Sequence, residues 1–149
     1  MTAEQRTRRR FLQMVAASAT LPAGLVACSS AGSSPAAFGD ISAGNVSSLS
    51  VGTLRAISGQ PACIGRDANG VYAMTLTCTH QGCDMGSRGS VSSSGITCNC
   101  HGSRFDANGG VTSGPASDPL QHFAVSVGSS GDLTVHGGTP VGASTRLAV

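Results

Sequence analysis

Two short segments rich in cysteine and histidine constrain this chain more than any other feature. The first box, residues 78–83, reads CTHQGC, and the second box, residues 98–103, reads CNCHGS. Each box supplies one Cys and one His at close spacing, and each carries one further Cys. A chain with this pattern must bring two loops together at one place. The residue types predict a metal centre with two unlike ends, plus a spare thiol pair that is able to join the two loops.

Composition and charge favour a single small β domain. The chain has 149 residues, which is enough for one domain with a modest core. Its 21 Gly residues and abundant Ser predict short strands and turns, and no segment keeps a period of 3.6 residues. Net charge is +2, but beyond residue 27 five Arg face six Asp. No basic surface remains there to indicate binding of nucleic acid.

Apolar alternation places both boxes in loops between short strands. The predicted strands are residues 62–66, 71–76, 95–97, 122–127 and 132–136. The turn signal Asp67–Gly70 joins the first two strands, and the first box follows directly. The second box follows residues 95–97 and leads through Arg104–Asp106 to another turn. We therefore predict an all-β class with the metal boxes in loops at one end.

The first 27 residues resemble a twin-arginine export signal. Arg8 and Arg9 lie in a segment of that type, residues 7–13, and an apolar stretch follows over residues 14–27. This stretch is interrupted by Pro and Gly and is shorter than the ~20 apolar residues that a bilayer-spanning helix needs. The alternative is an amphipathic first helix of the mature protein. Twin-arginine export carries folded proteins, so it suits a protein that must receive its metal before crossing a membrane.

Residues 25–28 read LVAC and resemble a bacterial lipobox. In such signals the Cys, here Cys28, receives a lipid and becomes the first mature residue. An ordinary cleaved signal is the alternative. Residues 29–37 are rich in Ser, Ala, Gly and Pro and predict a flexible tether. We expect a signal peptide over 1–27, a lipid-anchored tether over 28–40, a domain over 41–138 and a C-terminal tail over 139–149. The domain is then exported and anchored at the outer face of the bacterial cytoplasmic membrane.

The ligand chemistry of the boxes allows two kinds of metal site. Cys-x-His followed by Cys-x-x-His supplies two thiolates and two imidazoles. Zinc accepts such a set, but usually with Cys pairs and His pairs, whereas each box here holds a mixed pair. A two-iron cluster uses the same set differently, with two Cys on one iron and two His on the other.

Together the boxes resemble those of Rieske [2Fe–2S] proteins, of the subtype with two additional disulfide cysteines. The resemblance covers roughly residues 41–137 and includes residues 114–116, Gly-Pro-Ala, which are similar to the proline loop beside the cluster. It implies a Rieske-type antiparallel β sandwich or barrel. It also implies one [2Fe–2S] cluster per chain, bound by the two loops at one end.

The resemblance further implies roles for individual residues. Cys78 and Cys98 are expected to ligate one iron, and His80 and His101 the other. Cys83 and Cys100 are expected to form a disulfide between the loops, which an exported location favours, and two free thiols are the alternative. The residues expected to surround the cluster are Ser103, Phe105, Gly114 and Pro115.

Two positions depart from the best-known relatives. High-potential members place a Tyr where this chain has Phe105, so the missing hydroxyl donor predicts a lower reduction potential. Quinol-oxidising members usually have Leu after the first ligating His, where this chain has Gln81. Those members also usually carry a transmembrane anchor rather than a lipid. Gln81 and the expected lipid anchor both weaken the case for a quinol-oxidising complex.

The expected function is therefore one-electron transfer by a membrane-tethered carrier that catalyses nothing alone. Its partners would be a redox donor and a redox acceptor. The rival hypothesis is the Rieske subunit of a larger oxidoreductase, with a cytochrome bc-type partner or a molybdenum subunit similar to arsenite oxidase. A third hypothesis is an adhesion module stabilised by zinc or a disulfide. Outside the boxes, Cys63 is predicted to be a buried apolar residue, and His122 and His136 to be surface or capping residues.

Overall fold

Antiparallel pairing organises residues 37–149, the part of the chain that this computed structural model describes, into two β-sheets. The strands are β1 (Asp40–Asn45), β2 (Thr53–Ala56), β3 (Ala62–Asp67), β4 (Gly70–Thr75), β5 (Gly89–Ser92), β6 (Gly95–Cys98), β7 (Arg104–Asp106), β8 (Val111–Ser113), β9 (His122–Val127) and β10 (Asp132–Val141). One 3-10 turn (Val46–Ser48) and one short helix, α1 (Met85–Arg88), complete the elements of these residues. The prediction of an all-β, antiparallel Rieske-type fold is confirmed.

The larger sheet, called the main sheet here, has the strand order β1-β10-β9-β4-β3-β2. The predicted hairpin of β3 and β4 is present, with Asp67 paired to Gly70. Its turn is closed by Asp67, whose Oδ1 accepts a hydrogen bond of 2.8 Å from the backbone N–H of Asn69. Leu133 and Val135 of β10 are fully buried while Thr134 and His136 are not, as expected for a strand with one face on the core.

The smaller sheet, called the small sheet, has the order β5-β6-β7-β8 and carries the second box. Ile96 of β6 pairs with Phe105 of β7, and both side chains are buried. The first box lies between β4 and α1, and the second lies between β6 and β7. The core beneath the small sheet contains Leu76, Met85, Ile96, Cys98, Phe105 and Leu120. Both boxes therefore emerge from one apolar base.

Several sequence-based assignments needed correction. His122, predicted to be a surface or capping residue, is 2% exposed and buried. The last strand was predicted to end at His136 but continues to Val141, past a register shift between His136 and Pro140. Strands β5 and β8 were not predicted, because their Gly-, Ser- and Thr-rich sequences carry little alternating apolar signal.

Among residues 37–149, no helix is long and apolar enough to cross a membrane. The export signal predicted around Arg8 and Arg9 and the lipidation site predicted at Cys28 lie outside the described residues.

Candidate metal centre

The first box is a tight loop that follows β4. The backbone N–H of Cys78 donates to the carbonyl of Cys83 at 2.9 Å, and the N–H of Gly82 donates to the carbonyl of Cys78 at 2.8 Å. Gly82 has φ of 70°, a left-handed conformation that Gly adopts without steric cost. The loop is anchored behind the box, where the N–H of Met85 donates to the carbonyl of Leu76 at 2.8 Å.

The second box repeats the same backbone pattern. The N–H of Cys98 donates to the carbonyl of Ser103 at 2.8 Å, and the N–H of Gly102 donates to the carbonyl of Cys98 at 3.0 Å. Gly102 has φ of 81°. Both boxes thus place a Cys at the start of a closed loop, a left-handed Gly at the fifth position and a returning residue at the sixth.

A disulfide between Cys83 and Cys100 joins the two loops. The two Cα atoms lie 6.6 Å apart, and the residues are 17 positions apart in the chain. Both side chains are half-buried and pack against the core beneath the small sheet. The thiol of Cys98 lies within 4.8 Å of both disulfide sulfurs. Because bonded sulfurs offer no thiolate, these three Cys residues do not make a metal site of their own.

The two remaining box cysteines are free and buried side by side. Cys78 is 3% exposed and Cys98 is fully buried. Burial raises the pKa of the Cys78 thiol and the neighbouring Cys98 raises it as well, while contacts with the backbone of His80 and the hydroxyl of Ser103 act in the opposite direction. Two thiols in an apolar site deprotonate readily only beside a positive charge, which a metal ion supplies.

The two box histidines lie against each other. The ring centroids of His80 and His101 are 4.9 Å apart, and the ring planes meet at 82°. His80 is half-buried, and its Nδ1 is buried without a hydrogen-bond partner in residues 37–149. His101 is exposed. A buried ring nitrogen left without a partner is costly, and a metal bond would satisfy it.

These observations fit a cluster that takes two thiolates at one end and two imidazoles at the other. Cys78 and Cys98 would supply the sulfur ligands, and His80 and His101 would supply the nitrogen ligands, each pair drawn from both boxes. Structural zinc accepts the same donor types but usually from Cys pairs and His pairs, whereas each box here holds a mixed pair.

Ser103 and the segment after β8 enclose the second box. Ser103 is fully buried, and its Oγ accepts a hydrogen bond of 3.1 Å from the backbone N–H of Ala116. A Cβ placed on Gly114 would lie 2.5 Å from the Cα of Ser103, so a side chain there would displace the backbone of the box. Pro115 is exposed beside it, and Phe105 is buried in the core that contains Cys78 and Cys98.

Thr79 makes a contact that the sequence did not reveal. Its Oγ1 donates a hydrogen bond of 2.7 Å to the carbonyl of Asp118. This bond ties the first box to the segment that covers the second box. The only signal in the sequence was that a polar residue stands between the Cys and the His of the first box. The sequence does not show which group such a residue bonds to.

Cys63 and a hydrogen-bonded group around His136 lie outside the centre. Cys63 is fully buried as predicted, and burial raises its pKa to about 12, so it stays a thiol. Asp40, His136 and Ser126 form a hydrogen-bonded chain, with 2.8 Å from Asp40 Oδ2 to His136 Nδ1 and 2.8 Å from His136 Nε2 to Ser126 Oγ. The Asp40 side chain is 63% exposed and the three residues lie on an open sheet face. We assign this chain of bonds to holding β1 and β9 against β10.

Comparison with known proteins places the two boxes in one sequence family. The profile described as Rieske [2Fe-2S] domain matches residues 40–124. The chain is 39% identical over 87 residues to the putative Rieske 2Fe-2S iron-sulfur protein YhfW of Bacillus subtilis. This alignment covers 58% of this chain and 16% of that protein. It is 41% identical over 63 residues to the cytochrome b6-f complex iron-sulfur subunit of Synechococcus sp. strain WH7803, covering 42% of this chain and 34% of that protein.

Comparison of structures supports the same fold. A chain of the complex of reduced oxygenase and oxidized ferredoxin in carbazole 1,9a-dioxygenase aligns with a TM-score of 0.50 and 27% sequence identity. The alignment covers 69% of this chain and 97% of that one. The curated relatives above are much longer than the matched region, so the shared part is the domain that contains the two boxes.

Proposed function

Because the chain belongs to the Rieske [2Fe–2S] domain family and the domain binds a [2Fe–2S] cluster, we propose that it works as an exported, membrane-tethered carrier of single electrons. Electron transfer through the cluster follows from the family. The tether, the location and the free-carrier role are the further steps of the proposal. The electron-transfer part of the proposal rests on one observation. The two boxes converge, with two buried thiols and two adjacent imidazoles, one of which has a buried nitrogen without a hydrogen-bond partner among residues 37–149.

The ligands in this proposal are Cys78 and Cys98 on one iron and His80 and His101 on the other. The cluster supplies a one-electron redox couple whose potential is raised by the two neutral imidazoles. The buried sulfur side keeps water away, because Cys78 and Cys98 lie in the apolar core. His101 is the more exposed imidazole, so we assign it the shortest path to a partner protein.

The surroundings tune the potential through hydrogen bonds. Ser103, buried beside Cys78, places its hydroxyl at the centre. Phe105 fills the neighbouring core position without a donor group. We therefore propose a lower reduction potential than in relatives with Tyr at this position. Gly114 allows the backbone of its segment to approach Ser103 closely, and Pro115 stiffens that segment.

Export and tethering rest on the N-terminal sequence. Arg8 and Arg9 supply the export signal and Cys28 the lipidation site in this proposal. The proposed boundaries remain a signal peptide over 1–27, a tether over 28–40, a Rieske domain over 41–138 and a tail over 139–149. Metabolic labelling with a fatty-acid analogue tests the tether: we expect label on the wild type and none on Cys28→Ser. Label retained by Cys28→Ser would contradict it.

The second candidate function is the Rieske subunit of a larger oxidoreductase. The similarity to cytochrome b6-f iron-sulfur subunits favours it, although the chain spans only 34% of such a relative. Gln81 and the proposed lipid anchor favour the free carrier. Pull-down in mild detergent from native membranes separates the two. Stable, stoichiometric recovery of a cytochrome or molybdenum subunit would favour the subunit role, and recovery of the protein alone would favour the carrier.

Electron paramagnetic resonance and metal analysis of purified protein test the cofactor and its ligands. We expect a reduced-state signal and two irons per chain. Cys98→Ala should abolish both, because it removes a thiolate ligand. Cys63→Ala is the matched control, since Cys63 is equally buried and free but lies in β3, and it should keep the signal. A colourless protein with stoichiometric zinc, or a Cys98→Ala variant with an unchanged signal, would overturn the proposal.

A further inference from the structure

The last residues of the chain are bound to the main sheet. The backbone N–H of Leu147 donates to the carbonyl of Val71 at 2.8 Å, and the N–H of Val71 donates to the carbonyl of Leu147 at 2.9 Å. Leu147 also packs against the core of the main sheet. Arg66 donates to the carbonyl of Val149 at 3.3 Å. The tail after β10 is therefore an ordered part of the domain.

Arg146 in this tail joins the two sheets. Its Nε donates to Oδ2 of Asp67 at 2.7 Å, and its Nη2 donates to Oδ1 of Asn108 at 2.7 Å. Asp67 ends β3 of the main sheet, whereas Asn108 lies in the turn between β7 and β8 of the small sheet. The Arg146 side chain is 12% exposed, and its guanidinium carbon lies 4.2 Å from the centre of the Tyr72 ring.

The positive charge of Arg146 is paired with the negative charge of Asp67. Burial alone would raise the pKa of Asp67, but the hydrogen bond and charge of Arg146, with backbone donors of the turn, outweigh it, and the pKa lies below its usual value. Asp67 is therefore ionised at neutral pH. Two further hydrogen bonds of Arg146, at 2.8 Å to the carbonyl of Ala143 and at 2.9 Å to that of Thr145, hold the guanidinium in place.

Two core side chains hold the same turn. The Tyr72 hydroxyl donates to the carbonyl of Ala107 at 2.8 Å, and Nε2 of His122 lies 2.9 Å from the carbonyl of Asn108. A carbonyl only accepts, so this nitrogen of His122 carries the proton. Burial lowers the pKa of His122, which favours the neutral ring. The two rings are stacked with centroids 6.0 Å apart.

The opposite end of the β7–β8 hairpin contacts the metal centre. Ser103 comes directly before β7 and Ala116 follows β8, and they share the hydrogen bond that encloses the second box. The hairpin is thus held at both ends: at the centre by Ser103 and Ala116, and at its turn by Arg146, Tyr72 and His122. Strands β7 and β8 are paired at Arg104–Ser113 and Phe105–Val111, with a register shift between the two pairs, so the turn and the loop before β7 are joined by one short paired segment.

We propose that Arg146 is a positioning residue for the metal centre, which clamps the turn of the β7–β8 hairpin to the main sheet and thereby fixes the loop that carries His101. The effect on the cluster rests on the proposed ligand assignment. The clamp itself does not, because it consists of contacts between protein groups. Arg suits this position since its planar fork serves two acceptors on different sheets while its face covers an aromatic ring, which the single ammonium of Lys cannot do.

The test compares variants of the full chain. Asn108→Ala removes the bond to the hairpin and leaves the tail attached, and Arg146→Lys keeps the charge without the fork. Arg55→Ala is the matched control, because Arg55 is also partly buried and donates to the carbonyl of Ala43 within the main sheet, not to the tail or the hairpin. Hydrogen exchange of residues 104–113 measures the clamp, and the linewidth of the reduced-state paramagnetic signal measures the positioning of the ligands.

In Asn108→Ala and Arg146→Lys we expect exchange across residues 104–113 to be roughly tenfold faster, since one charge-assisted hydrogen bond is lost. We also expect a broader paramagnetic signal, whereas Arg55→Ala should change neither. Unchanged exchange in both variants, an equal increase in Arg55→Ala, or faster exchange with an unaltered signal would each overturn the proposal. Failure of the proposed function appears separately, as a wild-type protein that holds no iron.

Discussion

The two boxes have the same backbone and different surroundings. In each, the N–H at the first position bonds to the carbonyl at the sixth, and the Gly at the fifth position donates back to the first. The sixth position separates them: Cys83 of the first box forms the disulfide, whereas Ser103 of the second box is buried and holds Ala116. The histidines differ too, since His80 is half-buried and His101 is exposed.

This difference teaches that a shared loop conformation does not imply a shared role. The backbone pattern accompanies two pairings between the loops: the thiols of Cys78 and Cys98 are neighbours, and the rings of His80 and His101 are in contact. The sixth residue then decides what each loop is attached to: the first to its partner loop by a covalent bond, the second to the segment 114–116 by a hydrogen bond. Four sets of substitutions test how far the likeness extends.

The largest effect is expected from removing the covalent bond between the boxes. The double variant Cys83→Ala/Cys100→Ala should lose about 3 kcal/mol of unfolding free energy, because the disulfide closes a loop of 17 residues. Urea unfolding of the cluster-free protein measures this. Reductant should bring the wild type to the midpoint of the double variant and leave the variant itself unchanged. A wild type equally stable with and without reductant would show that the bond does not stabilise the fold.

The next effect tests the sixth position of the second box. Ser103→Ala should cost about 2 kcal/mol, because the buried N–H of Ala116 loses its acceptor. Thr79→Val, which removes the exposed hydrogen bond from the first box to Asp118, is the matched control and should cost about 1 kcal/mol or less. Equal losses in urea unfolding would mean that burial of the Ser103 bond contributes nothing extra.

The glycines at the fifth position test the likeness of the two backbones directly. Gly82→Ala and Gly102→Ala should each cost about 1 kcal/mol, because both have positive φ and open space around the added methyl group. Gly59→Ala, with φ of 69° and open space in a turn away from the boxes, gives the generic cost. A much larger loss at one box than at the other would show that the loops are not equivalent.

The smallest effect concerns the residue two positions after the second box. Phe105→Tyr should raise the reduction potential by about 40 mV, the one-electron equivalent of a hydrogen bond that is about 1 kcal/mol stronger in the reduced state. Phe123→Tyr, also buried but in the main sheet, should leave the potential unchanged. Protein-film voltammetry measures both. An unchanged or lower potential in Phe105→Tyr would contradict the role given to this position.

The sequence was informative where a local signal existed. Asp67 and Gly70 marked the β3–β4 turn, and the alternation of β9 was visible in residues 122–127. It failed where pairing with a neighbour created the element. The segment Gly89–Ser92 becomes β5 because β6 offers it hydrogen bonds, and His122 is buried because Tyr72 and the turn at Asn108 close over it.

The sequence by itself determined the chemistry of the centre, because metal ligands and left-handed glycines must be particular residue types at particular spacings. It therefore identified both boxes, the candidate ligands and the thiol pair. The tertiary structure alone decided how these parts are supported: the bond of Thr79 to Asp118, the approach of Gly114 to Ser103, and the attachment of Arg146 to both sheets. Such contacts join residues far apart in the chain, and many residue types can make them, so no local sequence pattern predicts them.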